Sequence, residues 1–240
     1  MQTTSRAIVL HTLRYNDDHL IVHLFTEREG FVPMLVRISH AAKAAVRHTL
    51  FQPLALLEVS WHHRPTAGLQ RPKAARTAVM FSDLIYNGHK LSVAFFLAEF
   101  LGAALRLEPP SEVLFSYLEQ SIRWLDTADK GYSNFHLVFL LRLTQYLGFL
   151  PQIEAYRQGA FFDMLHCRFT PMRPPTPHLA PEEAQWLPTL LRINYDNMRH
   201  FRLTGEQRNR FLNIVNDYYR LHLTAFPQLK SLEVLRDIYQ

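Results

Sequence analysis

Cysteine is nearly missing: Cys167 stands alone in 240 residues, which excludes an intrachain disulfide and any centre built from several thiolates. A chain of this length buries enough surface to fold without such staples, and one thiol suits a reducing cytosol. Glycine is scarce as well, at eight residues, too few for an all-β chain and a first hint that helices dominate. Long hydrophobic runs are absent. The longest, from Phe135 to Phe149, is interrupted by His136, Arg142 and Gln145 and is too short to cross a bilayer, so no membrane association is expected. The N-terminus runs from Met1 to Arg6 into an apolar stretch broken by His11 and Arg14, without the apolar core or cleavage site of a leader. There is no glycine-rich phosphate loop, no Gly-x-Ser-x-Gly and no His-Glu-x-x-His. Internal repeats and low-complexity tracts are missing too.

What is present is a globular balance, 48% hydrophobic and 20% charged, with its net charge of +5 confined to one region. Residues 1–80 hold ten basic side chains against five acidic ones, whereas the rest of the chain holds sixteen of each. A polyanion would meet the first third.

That third reads as short strands. Arg6 to Tyr15, His19 to Thr26 and Phe31 to Ile38 are rich in β-formers, separated by the turn residues Asn16-Asp17-Asp18 and by Glu27-Arg28-Glu29-Gly30. Pro53 to His62 alternates, and Leu69 to Val79 supplies a fifth segment. Five strands with no crossover helix predict a small antiparallel barrel of the OB type over residues 1–80. Ser39 to Leu50 between them is a loop or a short basic helix around Ala41 to Ala45.

After Val79 the period becomes helical. Helices are predicted over Leu84 to Leu107, Ser111 to Leu125, Asn134 to Phe149, Pro181 to Arg192, Thr204 to Phe226 and Ser231 to Tyr239. The expected architecture is therefore α+β and multidomain, with the barrel followed by a mainly α-helical domain over residues 81–240. Within it, Gln158 to Pro181 reads as a surface excursion containing a small hairpin and a proline-rich stretch.

Single-stranded nucleic acid requires cations along its phosphates and flat side chains for its bases. The candidates are Arg37, Lys43 and Arg47 around the loop after the third strand, Arg71, Lys73 and Arg76 around the fifth, and Arg14 beside the first turn. Tyr15, Phe51 and Trp61 are possible stacking groups, with Trp61 equally suited to a core. Asp17, Asp18 and His19 could be drawn as a hydrolytic site, but their turn composition accounts for them and no second carboxylate cluster exists to share a metal. His19 and His23 lie about 13 Å apart on a strand, too far to share an ion. His166, Cys167 and His178 form an incomplete zinc set. No catalytic residue, metal or cofactor is expected, and the chain reads as a non-enzyme.

The order of several segments resembles the RecO family of DNA-repair proteins. These are Ala7 to Tyr15, Leu20 to Thr26, Gly30, Val36-Arg37, the basic loop with Lys43 and Arg47 followed by Gln52-Pro53-Leu54, and Leu141-Arg142-Leu143 with Leu147-Gly148-Phe149-Leu150-Pro151. The resemblance implies an N-terminal OB fold and a helical C-terminal domain. It also implies binding and annealing of single- and double-stranded DNA, and work with RecR and the single-stranded-DNA-binding protein to load RecA, in the cytoplasm at the nucleoid. The C-terminal tail of that coating protein would need an apolar pocket with a cation at its rim, for which Phe81, Tyr86, Lys90, Arg106 and Arg123 are available. Many members carry a four-cysteine zinc module after the Leu-Gly-x-x-Pro region. Here Gln158 to Pro181 offers Cys167 alone, so a zinc-less hairpin is expected. The alternative is a protein-interaction scaffold whose barrel is an adaptor and whose DNA contact is incidental.

Overall fold

A computed structural model describes residues 2–39 and 45–238. The chain divides into two compact units, one of residues 1–127 with 229–235, the other of residues 128–228 with 236–240. The first unit thus extends past the change of texture at Val79 to take in two helices.

In the first unit, β1 (Gln2–Arg14), β2 (His19–Thr26), β3 (Gly30–Arg37), β4 (Leu56–His62) and β5 (Pro72–Thr77) form one antiparallel sheet of order β3-β2-β1-β4-β5. Period-two alternation sends Val9, Val22, Leu24, Met34, Val59 and Trp61 to a common core. The two edges of the sheet meet at one place. Met34 forms a parallel bridge with Gln70, with Leu35 N donating to Gln70 O at 2.8 Å and Gln70 N to Pro33 O at 2.9 Å. A continuous β3–β5 ladder does not extend beyond that point among the described residues. Gly30 closes the β2–β3 hairpin at φ +64°, where a Cβ would lie 3.0 Å from the Glu108 carbonyl oxygen, so both conformation and space require glycine.

The other face of β1 is also buried: Ile8 is 0% and Leu10 2% exposed. Helices α1 (Gly88–Ala104) and α2 (Glu112–Thr127) belong to the same unit, with α1 packed on β1 and Phe115 of α2 stacked on Phe25 at 6.4 Å. Fully burying a side chain such as Phe25 or Phe115 contributes about 2 kcal/mol. The first helix begins later than its periodicity suggests, because Leu84 N donates to Asp126 Oδ1 at 2.7 Å and Asn87 then caps the helix, accepting from the amides of His89 and Lys90. The segment 229–235 returns to this unit with Leu229, Leu232 and Leu235 buried. Glu99 of α1 accepts from Lys230 N at 3.0 Å and Ser231 N at 2.8 Å, so a carboxylate caps the start of α7 (Ser231–Ile238).

The second unit is built on α3 (Phe135–Tyr146), buried along most of its length, against α6 (Gly205–His222). Tyr219 donates to Leu140 O at 2.7 Å and Tyr218 to Phe149 O at 2.6 Å. Two expectations are corrected here. The helix expected over Pro181 to Arg192 is two, α4 (Pro181–Ala184) and α5 (Leu187–Arg192), because Pro188 has no N–H to continue the ladder. The hairpin expected within the excursion is present, but its apolar side is buried and not on the surface. β6 (Phe161–Asp163), β7 (Arg168–Thr170) and β8 (His178–Leu179) form a sheet of order β7-β6-β8, and its Phe162, Met164 and Phe169 are buried. The proline-rich stretch that follows, 171–177, is mostly exposed, while the apolar residues before it decide the burial of the hairpin. Among the described residues no helix is long and apolar enough to cross a membrane.

Candidate nucleic-acid interface

The pairing register brings most of the basic candidates together. Arg37 ends β3 opposite His19 of β2, and Arg14 ends β1 opposite Leu20. The bridge at Met34 and Gln70 lays the start of the fifth strand, with Arg71 and then Lys73, along the same β3 edge. Ala75 N donates to Ala45 O at 3.1 Å, which draws the loop after β3 against β5 and places Arg47 beside it. All of these side chains are exposed. Lys43 lies outside the described residues.

The cations differ in what they already hold. Arg14 pairs with Asp17 at 3.0 Å and Arg76 with Glu58 at 2.6 Å. Arg37, Arg47, Arg71 and Lys73 form no ion pair among the described residues. A cation with no carboxylate in reach keeps its full field for an incoming phosphate.

Of the three stacking candidates Phe51 is corrected, and Trp61 takes the core place that was its other reading. Trp61 is 0% and Phe51 3% exposed, both in the core between the strands, where the alternation that makes the sheet amphipathic also points them inward. Tyr15 remains, 61% exposed at the turn after β1. Flat groups missed in the sequence stand on the side of β1 to β3 away from the strand core, His11 exposed and His23 and Phe31 half-buried. His11 lies 5.7 Å from His23, and His23 lies 5.2 Å from Phe31. Cross-strand pairing makes this ladder, and one strand read alone cannot reveal it. Burial, helped by the nearby charges of His11 and Arg106, holds His23 below the ordinary histidine range, so at neutral pH its ring is an uncharged surface.

The helical candidates are placed differently. Tyr86 is 77% exposed and Arg106 is exposed, whereas Phe81 is half-buried and Arg123 pairs with Glu119 at 3.5 Å. Lys90 departs most from its expected place at a pocket rim. It is 1% exposed, donating to Asp126 O at 2.8 Å and pairing with Asp83 at 2.8 Å. The Asp126 carboxylate accepts from the amides of Ser82, Asp83 and Leu84 and from the Ser82 hydroxyl. Burial pushes its pKa up, but these donors outweigh burial and hold it below the usual carboxylate range.

The incomplete zinc set is engaged in local bonds: His166 Nδ1 with Asp163 at 2.8 Å, Cys167 Sγ with His222 Nε2 at 3.6 Å, and His178 Nδ1 with Thr176 O at 2.8 Å. Among the described residues no three His, Cys, Asp or Glu side chains converge as a metal site. Asp17 and Asp18 are exposed in their turn.

A five-stranded antiparallel sheet domain joined to helices, with cations that form no ion pair among the described residues along one edge, places the chain in the class of small β-domain proteins with a helical second part. The comparisons with known proteins define the family. The model described as Recombination protein O N terminal matches residues 1–81, and that described as Recombination protein O C terminal matches residues 86–233. The DNA repair protein RecO of Phocaeicola vulgatus is 49% identical over 233 residues, 97% of each chain. That of Bacteroides fragilis is 45% identical over 234 residues, 97% of each chain, and that of Flavobacterium psychrophilum 33% over 240 residues, the whole of both. The chain belongs to the RecO family of DNA-repair proteins.

Proposed function

We propose that the chain is a non-enzymatic mediator of DNA repair and recombination that holds single-stranded DNA along the β3–β5 edge of its first unit. In this reading Arg37, Arg47, Arg71 and Lys73 neutralise phosphates, and the His11–His23–Phe31 ladder with Tyr15 offers faces for bases. Lys43, Arg14 and Arg76 contribute at the margins. The reading rests chiefly on one observation: four exposed cations along one edge with no carboxylate partner among the described residues.

Held this way, a strand is available for annealing to its complement, and duplex DNA can bind through its phosphates alone. The finer reading follows the family: cooperation with RecR, capture of the C-terminal tail of the single-stranded-DNA-binding protein, and loading of RecA, in the cytoplasm at the nucleoid. For that tail, exposed Tyr86 and Arg106 are the strongest members of the helical set, with Phe81 and Arg123 beside them. Lys90 serves the fold.

The test is charge reversal of Arg37, Arg71 and Lys73 to Glu in the full chain, with binding to a labelled single strand read at low salt. Affinity is expected to fall at least about a hundredfold, since each lost phosphate contact is worth on the order of 1 kcal/mol and each new glutamate repels. Unchanged affinity would reject the edge and favour the scaffold alternative.

A further inference from the structure

The second unit carries its own unpaired basic surface. Between α5 and α6 the run Ile193 to Thr204 holds one short 3-10 turn, Met198–His200, and it is pinned by buried and half-buried side chains. Arg142 donates to Ile193 O at 3.1 Å, Asn134 to Phe201 O at 2.7 Å, and Arg208 to Leu203 O at 3.2 Å while also donating to Asn134 Oδ1 at 3.1 Å. Buried or half-buried polar groups thus fix the backbone on both sides of that turn. Such a segment presents its side chains from a rigid base.

Those side chains include Arg192, Arg199, His200 and Arg202, all exposed. Exposed Lys130 joins them, because the loop holding it passes close by: a Cβ on Gly131, whose φ is +77°, would lie 2.7 Å from Arg199 Cβ. Asn197 Nδ2 donates to Arg192 O at 3.4 Å, tying the run to the end of α5, where Arg192 stands. None of Lys130, Arg192, Arg199 or Arg202 has an ion pair among the described residues, although Asp129 and Asp196 share the run. Elsewhere in this unit exposed Arg210 is bonded to Glu183 at 2.6 Å. Along the sequence half-buried Tyr132, Tyr195 and Phe201 alternate with the cations, and Tyr195 is stacked on Phe135 at 5.3 Å.

We infer that this surface, centred on Arg199 and Arg202, is a second single-stranded nucleic-acid site, separate from the β3–β5 edge. Cations alone would suit an acidic protein equally well, but cations interleaved with rings suit bases between phosphates. The inference rests on the proposed role in handling DNA and deepens it: one chain then holds two strands, one on each unit, as annealing requires.

The experiment counts strands per chain by titrating the full-length protein with a short oligothymidylate at low salt, alongside the rate of annealing of two complementary strands. Wild type is expected to bind two. Arg199→Glu with Arg202→Glu should bind one and anneal at least about tenfold more slowly, while the edge variant of Arg37, Arg71 and Lys73 also binds one. Lys130→Glu with Arg192→Glu gives a second variant, so that a folding defect in one cannot decide the outcome. Wild-type strand counts and annealing in both second-unit variants would overturn the inference. So would tight binding of poly-glutamate at this surface without any binding of oligothymidylate. If the second-unit variants lose all binding while the edge variant keeps it, this site stands and the edge reading falls.

Discussion

The β3–β5 edge and the helices α1 and α2 belong to one unit and draw on the same residue types, but they use their charges in opposite ways. On the helices, cations are consumed internally. Lys90 is buried against Asp83 and the Asp126 carbonyl, Arg123 pairs with Glu119, and Arg6 from β1 pairs with Glu119 while its guanidinium lies 5.2 Å from the centre of the Phe115 ring. Along the edge, Arg37, Arg47, Arg71 and Lys73 face solvent with no carboxylate bound to them among the described residues. A cation's work is set by the acids that the fold brings within reach, and the basic count of a segment does not disclose it.

The comparison would break first at Asp126. Asp126→Ala strips the acceptor from three backbone amides and a hydroxyl beside the buried Lys90, and is expected to cost about 3 kcal/mol in denaturant unfolding. DNA affinity measured below the unfolding transition should hardly change. If affinity fell in proportion to stability, the separation between structural and binding charges would be wrong.

Acid should act on the structural charges of the second unit in the same spirit. Burial, with the charge of Arg208, holds His136 down at about 3. The unfolded chain therefore binds a proton that the folded chain refuses between about pH 6.5 and 3. Stability contributed by neutral His136 is present above that window and is lost as pH falls through it, by about 1.4 kcal/mol per pH unit. His136→Leu should flatten the melting temperature against pH across this range. An identical slope in the variant would remove His136 as the cause.

The smallest effect is expected at the paired cations of the first unit. Arg14 and Arg76 are exposed and already bound to Asp17 and Glu58, so replacing each with alanine should change stability by at most about 0.5 kcal/mol and DNA affinity by about twofold. A larger loss of affinity from Arg76→Ala, read by fluorescence anisotropy, would show that the partner Glu58 yields to phosphate.

Much of this was legible in the chain. Turn residues and alternation located the five strands, and charge counting placed the basic excess in residues 1–80. Local pattern could not tell which cations are free, because the partners Glu58 for Arg76, Asp126 for the 82–84 amides and Glu119 for Arg6 come from distant positions. The same limit hid the His11–His23–Phe31 ladder, which exists only across strands. It also misled for Phe51, whose ring, like that of Trp61, the core claims before any base can. In the second unit the hairpin around Phe162 and Phe169 is legible in the chain, but the burial of those rings depends on packing that local pattern does not show.

The most direct test of the account compares salt dependence in two matched variants of the full chain, one with Arg37, Arg71 and Lys73 changed to alanine, the other with Arg14 and Arg76. For single strands the slope of log affinity against log salt changes by roughly 0.7 per phosphate contact. The first variant should therefore lose about 2 from the wild-type slope, and the second less than about 0.5. Equal losses in the two, or a wild-type slope retained by the first, would contradict the claim that unpaired cations on the β3–β5 edge hold the strand.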